Sequence, residues 1–242
     1  MTPALLSAVG QDAEGEALVA ACGRLGLITG HLCRPDLLPT DRYMAIEAAG
    51  GLIAAIADAQ TLESAGDSIL RPMADGRLGS DADPWSGKVV IDGNLASGLL
   101  GHIAASPLFS RADLRIAAAS PAKAVRLYPF LKHPGATLYL NLAEARGLGG
   151  SDYHSAPIAA AALVAVGALR VLITNGGDPC AEASRGQDLI TGQPPKVTIA
   201  RVTGAGDHFM AGHIAAEHRG AGRDAALAAA LAAAAHHVSR EI

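Results

Sequence analysis

A glycine-rich turn that leads into a helix constrains this chain more than any other stretch. Residues 202–213 read VTGAGDHFMAGH, with Gly, Ala and Gly directly before Asp207. Phe209, Met210 and Ile214 follow at helical spacing, which predicts that a helix begins at this turn. The free N–H groups at a helix start point outward, and the helix dipole favours negative charge beside them. The turn is therefore suited to bind a phosphate group or a developing negative charge.

Asp207 lies within the same turn, beside the expected anion pocket. A carboxylate in that position can act as the general base for a hydroxyl group that attacks a phosphoryl group. An Asp after small residues also caps many helices, and the four residues GAGD fit that structural role equally well. The residues that follow are needed to choose between the two interpretations.

The longer string resembles the signature of the PfkB (ribokinase-like) family of carbohydrate and nucleoside kinases. The signature TGAGD-x-F-x-AG is matched by Thr203, Gly204, Ala205, Gly206, Asp207, Phe209, Ala211 and Gly212. The resemblance implies an enzyme that uses ATP and Mg²⁺ to phosphorylate a hydroxyl group of a sugar or nucleoside. It makes Asp207 the catalytic base and places Thr203 in the nucleotide site. The residues that it implies for the anion hole are Gly204, Ala205 and Gly206.

Two further segments resemble nucleotide-binding motifs of the same family. Asn141 and Glu144 follow a predicted strand as N-x-x-E, and the resemblance places this Asn near the nucleotide phosphates and makes this Glu a magnesium ligand, directly or through water. Magnesium prefers oxygen ligands and keeps several waters. Thr174, Gly176 and Gly177 end another strand and resemble the loop that lets the backbone approach ATP. Taken alone, the two patterns also fit an ordinary helix start and an ordinary turn.

Within the family, the chain is most similar to pseudouridine kinases. The short strings that carry this likeness extend over nearly the whole chain, at residues 6–10, 56–58, 92–95, 120–123 and 202–206. None of these strings has a chemical mechanism that selects a nucleoside. The resemblance therefore implies pseudouridine or a related nucleoside as the acceptor, without a geometry for its recognition.

The chain departs from the family pattern at its beginning. Members of the family start with an earlier strand that carries an Asp for sugar hydroxyls, and Met1 falls where the next strand begins. We therefore expect either a start upstream or a truncated, catalytically impaired chain that binds nucleotide or only dimerises. Arg201 stands two residues before Thr203, where many members carry an Asp that helps to hold potassium. Because a cation does not ligate a cation, no potassium site is expected there.

Short apolar strands alternate with helices from Lys88 onward. The alternation predicts a doubly wound, mainly parallel α/β sheet with helices on both faces and ligands beyond the carboxyl ends of its strands. The strands are expected at 4–9, 88–91, 114–118, 137–140 and 170–174, with two short ones within 181–190 and 197–202. One helix is expected to follow a turn at residues 10–15 and to end near residues 23–26. The other helices are expected around 62–70 and at 95–106, 121–128, 142–148, 156–166 and 223–240.

Two apolar runs around a glycine pair, at residues 42–47 and 52–57, predict a β-hairpin. The hairpin does not fit the parallel sheet. We therefore expect a single ribokinase-like domain over residues 1–242, with a small β lid at about residues 40–58. Such a lid is often a dimer surface in the family, and its apolar residues lead us to expect a homodimer.

Composition and charge exclude several functions. Of the 242 residues, 50% are apolar but only 3% are aromatic, so that alanine must supply much of the packing. A net charge of −4 argues against a nucleic-acid partner, which would need a basic face. No apolar stretch is long enough for a membrane span, and no signal peptide is visible, so a cytoplasmic location is expected. The three cysteines have no ligand-like spacing and are expected to be free thiols.

The histidines give no clear metal site. His208, His213 and Glu217 could share one helix face, but their spacing is unsuited to zinc. His236 and His237, near the end of the chain, are expected to be solvent-exposed.

Overall fold

The computed structural model of the chain describes residues 2–48 and 51–240. Two compact units are present, Met1–Trp85 with Ala105–Ser110, and Ser86–Ala104 with Arg111–Ile242. The organisation as one domain with a hairpin lid stays a prediction. No helix in the described ranges is both long and apolar enough to cross a membrane.

The first unit contains short helices and one hairpin. Strands β1 (Tyr43–Ala48) and β2 (Gly51–Ala57) pair antiparallel, as predicted, and residues 49 and 50 between them lie outside the described residues. The helices of this unit are α1 (Ala13–Arg24), α2 (Gln60–Ala65), α3 (Arg71–Ala74) and the 3₁₀ segments Gly66–Leu70 and Pro107–Phe109.

The strand predicted over residues 4–9 is wrong. Ala4 and Ala8 form only isolated parallel bridges, to Ile28 and Cys33 respectively. The facing segment makes a turn between these two bridges, in which the Leu32 N–H donates to the Thr29 carbonyl at 3.1 Å. A continuous ladder needs two extended partners, and this turn removes one of them.

The second unit is built on a six-stranded mixed sheet, whose order is β3-β4-β5-β6-β7-β8. Strands β3 to β6 are parallel, whereas β7 and β8 are antiparallel to their neighbours. The strands are β3 (Lys88–Asp92), β4 (Asp113–Ala117), β5 (Ala136–Asn141), β6 (Arg170–Asn175), β7 (Asp178–Ser184) and β8 (Ile190–Gly192).

Helices cover both faces of this sheet. Leu172 of β6 packs with Phe209 and Leu231, which belong to the last two helices of the chain. Its neighbours Val171 and Ile173 point to the opposite face, because side chains alternate along a strand, and both are fully buried. The helices of this unit are α4 (Ser97–Ala105), α5 (Leu142–Gly149), α6 (Ala156–Ala165), α7 (Ala205–His218), α8 (Arg223–Val238) and the 3₁₀ segment Pro121–Phe130.

The strand predicted within residues 197–202 is also wrong. Residues 193–199 have no regular structure, and the last short strand is β8 instead. Pro194 and Pro195 lack an N–H group and so cannot continue the ladder beyond Gly192.

Candidate active site

A cavity of about 650 Å³ lies in the second unit, where β4, β5 and β6 end. Ala117, Asn141 and Thr174, at or next to the ends of these three strands, line it. The start of α7 and the last turns of α8 complete the wall. The cavity therefore lies at the carboxyl edge of the parallel strands, where ligands bind in sheets of this kind.

The start of α7 presents unused backbone donors to this cavity. Gly204 is the N-cap residue and has φ +87°, a left-handed conformation that favours glycine. The Ala205 N–H donates to the Val202 carbonyl at 3.1 Å. Within the described part of the chain, the N–H groups of Gly206 and Asp207 have no acceptor. With the positive end of the helix dipole, they form a site suited to an anion.

Asn141 and Glu144 form a capping box at the start of α5. The Asn141 N–H donates to Glu144 Oε2 at 2.8 Å, and the Glu144 N–H donates to Asn141 Oδ1 at 2.9 Å. Glu144 is only 7% exposed. Burial raises the pKa of its carboxyl group to about 7, although the hydrogen bonds from Asn141 lower it. A structural capping role and a place in the cavity wall are thus combined in one side chain.

The β6–β7 turn forms another edge of the cavity. Thr174, Gly176 and Gly177 line it, and Gly176 has φ +57°, which the tight turn requires. The Gln193 side-chain amide donates to the Gly177 carbonyl at 2.9 Å and so links the segment after β8 to this turn.

The structure brings together nearly all of the residues predicted for the site. The nine that line the cavity are Asn141, Glu144, Thr174, Gly176, Gly177, Gly204, Ala205, Gly206 and Asp207. Thr203 does not line it, and its carbonyl group accepts a hydrogen bond from the His237 ring. The chemical roles assigned to these residues stay predictions.

Sequence reasoning did not name the residues that form the apolar wall of the cavity. Residues of α8 contribute one side of it, namely Leu231, Ala234, Ala235 and Val238. Their spacing of three, four and seven residues marks a single helix face, and this was the signal available in the sequence. Cys180 also lines the cavity, and burial raises the pKa of its thiol to about 11.

A buried polar network holds α7 against the sheet. His213 is completely buried, and its Nδ1 lies 2.8 Å from the Tyr139 hydroxyl of β5. Glu217, one turn further along α7, pairs with Arg170 at 2.6 Å and also with Arg115. The sequence showed His213 and Glu217 only as a poor zinc pattern, and their partners lie on other elements.

Glu182 on β7 completes this network. It is completely buried and pairs with Arg170 at 2.9 Å and with Arg223 at 2.7 Å. Burial alone would raise the pKa of Glu182, but contact with His213 and the two guanidinium charges outweigh it and lower the pKa to about 2. Within the described ranges, no group of three or more His, Cys, Asp or Glu residues could hold a metal ion.

The prediction that His237 is solvent-exposed is wrong. His236 is exposed, but His237 is only 8% exposed and contacts Thr203 and Arg201. The reason is that the face of α8 carrying His237 turns towards the segment before α7, which periodicity within α8 does not reveal.

Comparison with known proteins gives one family. The sequence model of the pfkB family of carbohydrate kinases matches residues 115–241, which is more than half of the chain. No curated protein sequence matches the chain.

Solved structures with the same fold are numerous. A carbohydrate kinase from Agrobacterium tumefaciens is 26% identical, with a TM-score of 0.80, and the match covers 100% of this chain and 76% of that one. An adenosine kinase from Schistosoma mansoni, in complex with 2-fluoroadenosine, is 18% identical, with a TM-score of 0.80 and coverage of 98% and 74%. A protein provisionally named ribokinase II from E. coli, in complex with ATP and Mg²⁺, is 17% identical, with a TM-score of 0.78 and coverage of 99% and 78%. The predicted ribokinase-like α/β fold is thereby confirmed.

The first prediction concerns the network beneath α7. Arg170→Met removes one partner from the buried Glu182 carboxylate and one from the half-buried Glu217 carboxylate, so we expect the free energy of unfolding to fall by about 3 kcal/mol. Urea titration should show a lower midpoint with an unchanged slope. The control is Arg219→Met at the exposed end of α7, expected to change stability by less than about 0.5 kcal/mol. Equal effects of the two substitutions would contradict the energetic importance of the network.

The second prediction concerns Glu144. Because its pKa is raised from 4.5 to about 7 by folding, the folded state holds this proton more tightly than the unfolded state. Stability supplied by this group is therefore present at low pH and lost as pH rises from 4.5 towards 7, by about 3 kcal/mol in total. Glu144→Gln should lack this loss, so the stability of the variant relative to the unmodified chain should rise between pH 5 and pH 8 in urea titrations. A constant difference across that range would show that Glu144 ionises normally.

Proposed function

The chain belongs to the pfkB family of carbohydrate kinases, and on that premise we propose that it transfers the γ-phosphoryl group of ATP to a hydroxyl group of a sugar or nucleoside. One observation carries the proposal. A single cavity joins the unused donors at the start of α7, the Asp207 carboxylate and the Glu144 carboxylate. These are the groups that phosphoryl transfer requires: a base, an anion site and an oxygen ligand for a metal ion.

Asp207 is the proposed catalytic base. Its carboxylate accepts the proton of the acceptor hydroxyl group as that oxygen forms a bond to the γ-phosphorus atom. The bond between this phosphorus and the bridging oxygen breaks, and ADP leaves with the electron pair. Asp207 lines the cavity beside the donors of its own helix turn, which brings the base and the anion site within one turn of α7.

The N–H groups of Gly206 and Asp207 are the proposed anion hole. They need no rearrangement to meet charge on the transferred group, because no protein acceptor in the described part of the chain competes for them. Preorganised donors of this kind typically contribute about 3 kcal/mol each to transition-state stabilisation. Gly204 and Ala205 determine the backbone conformation of the turn, since Gly204 adopts the left-handed conformation and the Ala205 N–H donates to the Val202 carbonyl.

The nucleotide is proposed to lie between the β6–β7 turn and α8. A volume of about 650 Å³ falls within the range of small-molecule sites, which is about 300–1,000 Å³. The apolar α8 face suits a flat base, and Thr174, Gly176 and Gly177 allow the backbone to approach the nucleotide. Asn141 and Thr203 are assigned to the nucleotide site by their place in the family motifs.

The residues present fit a magnesium ion. Magnesium is usually held by one or two carboxylates together with phosphate oxygens and water, and the cavity wall carries the Glu144 and Asp207 carboxylates. Glu144 would hold the ion directly or through water, and the ion would neutralise charge on the phosphates. A pKa of about 7 means that Glu144 is ready to ionise when a cation arrives.

Pseudouridine or a related nucleoside is the proposed acceptor. The support is the likeness of five short strings of the sequence to pseudouridine kinases, including residues 92–95 and 120–123. In the structure these two segments meet, since the Lys123 ammonium group donates to the Asn94 side-chain oxygen.

The third prediction tests the base. Asp207→Asn keeps the shape of the turn but removes the proton acceptor, so transfer should fall at least about a hundredfold while ATP still binds. ADP release should be measured with ATP, Mg²⁺ and a panel of sugars and nucleosides that includes pseudouridine, with ATP affinity measured by calorimetry. Asp178→Asn, an exposed carboxylate of the β6–β7 hairpin outside the cavity, is the matched control.

Three outcomes separate the alternatives. Turnover that Asp207→Asn removes supports the kinase. Turnover that survives the substitution contradicts Asp207 as the base. ATP binding without turnover on any acceptor favours the alternative of a chain that binds nucleotide and does not transfer phosphate.

The fourth prediction concerns a proposed homodimer through the hairpin. Met44, Ile46 and Ile56 share one face of it, because Met44 pairs with Ile56 and side chains alternate along β1. They are 65%, 56% and 70% exposed, an apolar patch that a second copy could cover. Ile46→Lys should convert a dimer to a monomer in sedimentation velocity at micromolar concentration, while Leu37→Lys, an exposed position elsewhere, should not. A monomeric unmodified chain would refute the dimer.

A further inference from the structure

The segment before α7 wraps around the last turn of α8. The backbone N–H groups of Ala200 and Arg201 both donate to the Val238 carbonyl, at 2.8 and 3.2 Å. The Arg201 guanidinium then extends along the same helix end, and its Nε donates to the His237 carbonyl at 3.3 Å. A positive charge is thus placed at the negative end of the α8 dipole, where it is favourable.

Arg201 also determines the state of the His237 ring. Its Nη2 lies 3.1 Å from His237 Nδ1. A guanidinium group has donors only, so Nδ1 must be the unprotonated, accepting nitrogen. The ring is therefore neutral, with its proton on Nε2, and this Nε2–H donates to the Thr203 carbonyl at 2.8 Å.

The His208 ring packs against the His237 ring. His208 stacks on His237 with a centroid separation of 3.7 Å and an interplanar angle of 20°. Its Nδ1 lies 2.9 Å from the Gly204 carbonyl, which can only accept, so Nδ1 is the donor. Among the described residues, Arg201 and His208 are the titratable side chains that contact the His237 ring.

The fit of His237 against the turn leaves no space for a side chain. A Cβ atom on Gly204 would lie 2.9 Å from His237 Nε2. Gly204 is thus required both by its left-handed φ of +87° and by the imidazole ring that packs on it. His237 donates a hydrogen bond to the Thr203 carbonyl oxygen, and His208 donates one to the Gly204 carbonyl oxygen. These two carbonyl groups precede the unused N–H groups of Gly206 and Asp207.

We propose that His237, oriented by Arg201, is a positioning residue for the anion turn. Its hydrogen bond holds the Thr203 carbonyl against α8, so that this oxygen does not turn towards an anion in the cavity. A carbonyl oxygen facing a phosphate would repel it, whereas the N–H groups that remain attract it. The catalytic consequence rests on the proposed kinase function, but the positioning itself does not.

Two amide substitutions separate the two hydrogen bonds of the ring. Gln in place of His237 can bring its amide N–H close to the position of Nε2, so His237→Gln should keep the donor to Thr203. Asn is shorter and places its oxygen near the position of Nδ1, so His237→Asn should keep the bond from Arg201 and lose the one to Thr203. His236→Gln, at the neighbouring exposed position, is the control.

The primary experiment is amide hydrogen exchange of residues 202–209 in the full chain without nucleotide. We expect His237→Asn to speed exchange of this segment about fivefold, the effect of one lost hydrogen bond, with no change in the β-strands. His237→Gln and His236→Gln should exchange like the unmodified chain. Nitrogen-15 spectra of the imidazole groups should show His237 as a neutral ring protonated on Nε2.

The kinetic experiment uses the same variants. His237→Asn should lower kcat about tenfold while changing the Kd for ATP less than about threefold, because a misplaced donor weakens the transition state more than the ground state. His237→Gln should restore kcat, which a merely structural role of the ring would not predict.

The outcomes distinguish the two proposals. Unchanged exchange of residues 202–209 in His237→Asn, or a His237 ring protonated on Nδ1, would overturn the positioning role. Faster exchange in His237→Asn with rescue by His237→Gln supports it, even if the unmodified chain transfers phosphate to no acceptor. That last result would count against the proposed kinase function alone.

Discussion

The placement of α7 is the constraint on which the rest of the site depends. Its first turn must meet the carboxyl edge of the sheet, yet its buried face offers few large apolar side chains, chiefly Phe209 and Met210. Such a helix could slide or rotate at little cost in packing. The buried Glu182 and the half-buried Arg170 and Glu217 oppose this, because any shift would leave a charge without its partner. We interpret the network as a device that fixes helix register more than one that adds stability.

The contact between α7 and α8 requires small side chains on both helices. This requirement accounts for a glycine in the family signature and for part of the high alanine content. A Cβ atom on Gly212 would lie 2.7 Å from the Ala233 Cβ and 3.2 Å from the Ala229 carbonyl oxygen. The last Gly of the signature is therefore a packing requirement and not a ligand contact. Small residues let the two helices approach closely, and this proximity brings the end of α8 to the anion turn.

The sequence predicted those features that depend on a short piece of chain. The Gly204 turn, the helix start after Asn141 and the Gly176 turn are each set within a few residues, and each is found at the cavity. Features that depend on a partner distant in sequence were either not predicted or predicted wrongly. The His237 contact joins residues 34 apart in sequence, and residues 4–9 fail to form a strand because their partner turns away. Neither partner can be identified from local periodicity.

The charges around the cavity bear on how a polyphosphate could be held there. Among the described residues that line it, Lys196 is the sole cation, opposed by Glu144 and Asp207. The next cation along the chain is Arg201, whose guanidinium group is hydrogen-bonded to His237. A triphosphate would therefore meet two carboxylates, one lysine and the partial positive charge of a helix start, which do not balance it. An added divalent cation would reduce this imbalance, and it would also favour ionisation of Glu144 despite its burial. Proton release by Glu144 and metal-dependent nucleotide binding are thus expected to be linked events.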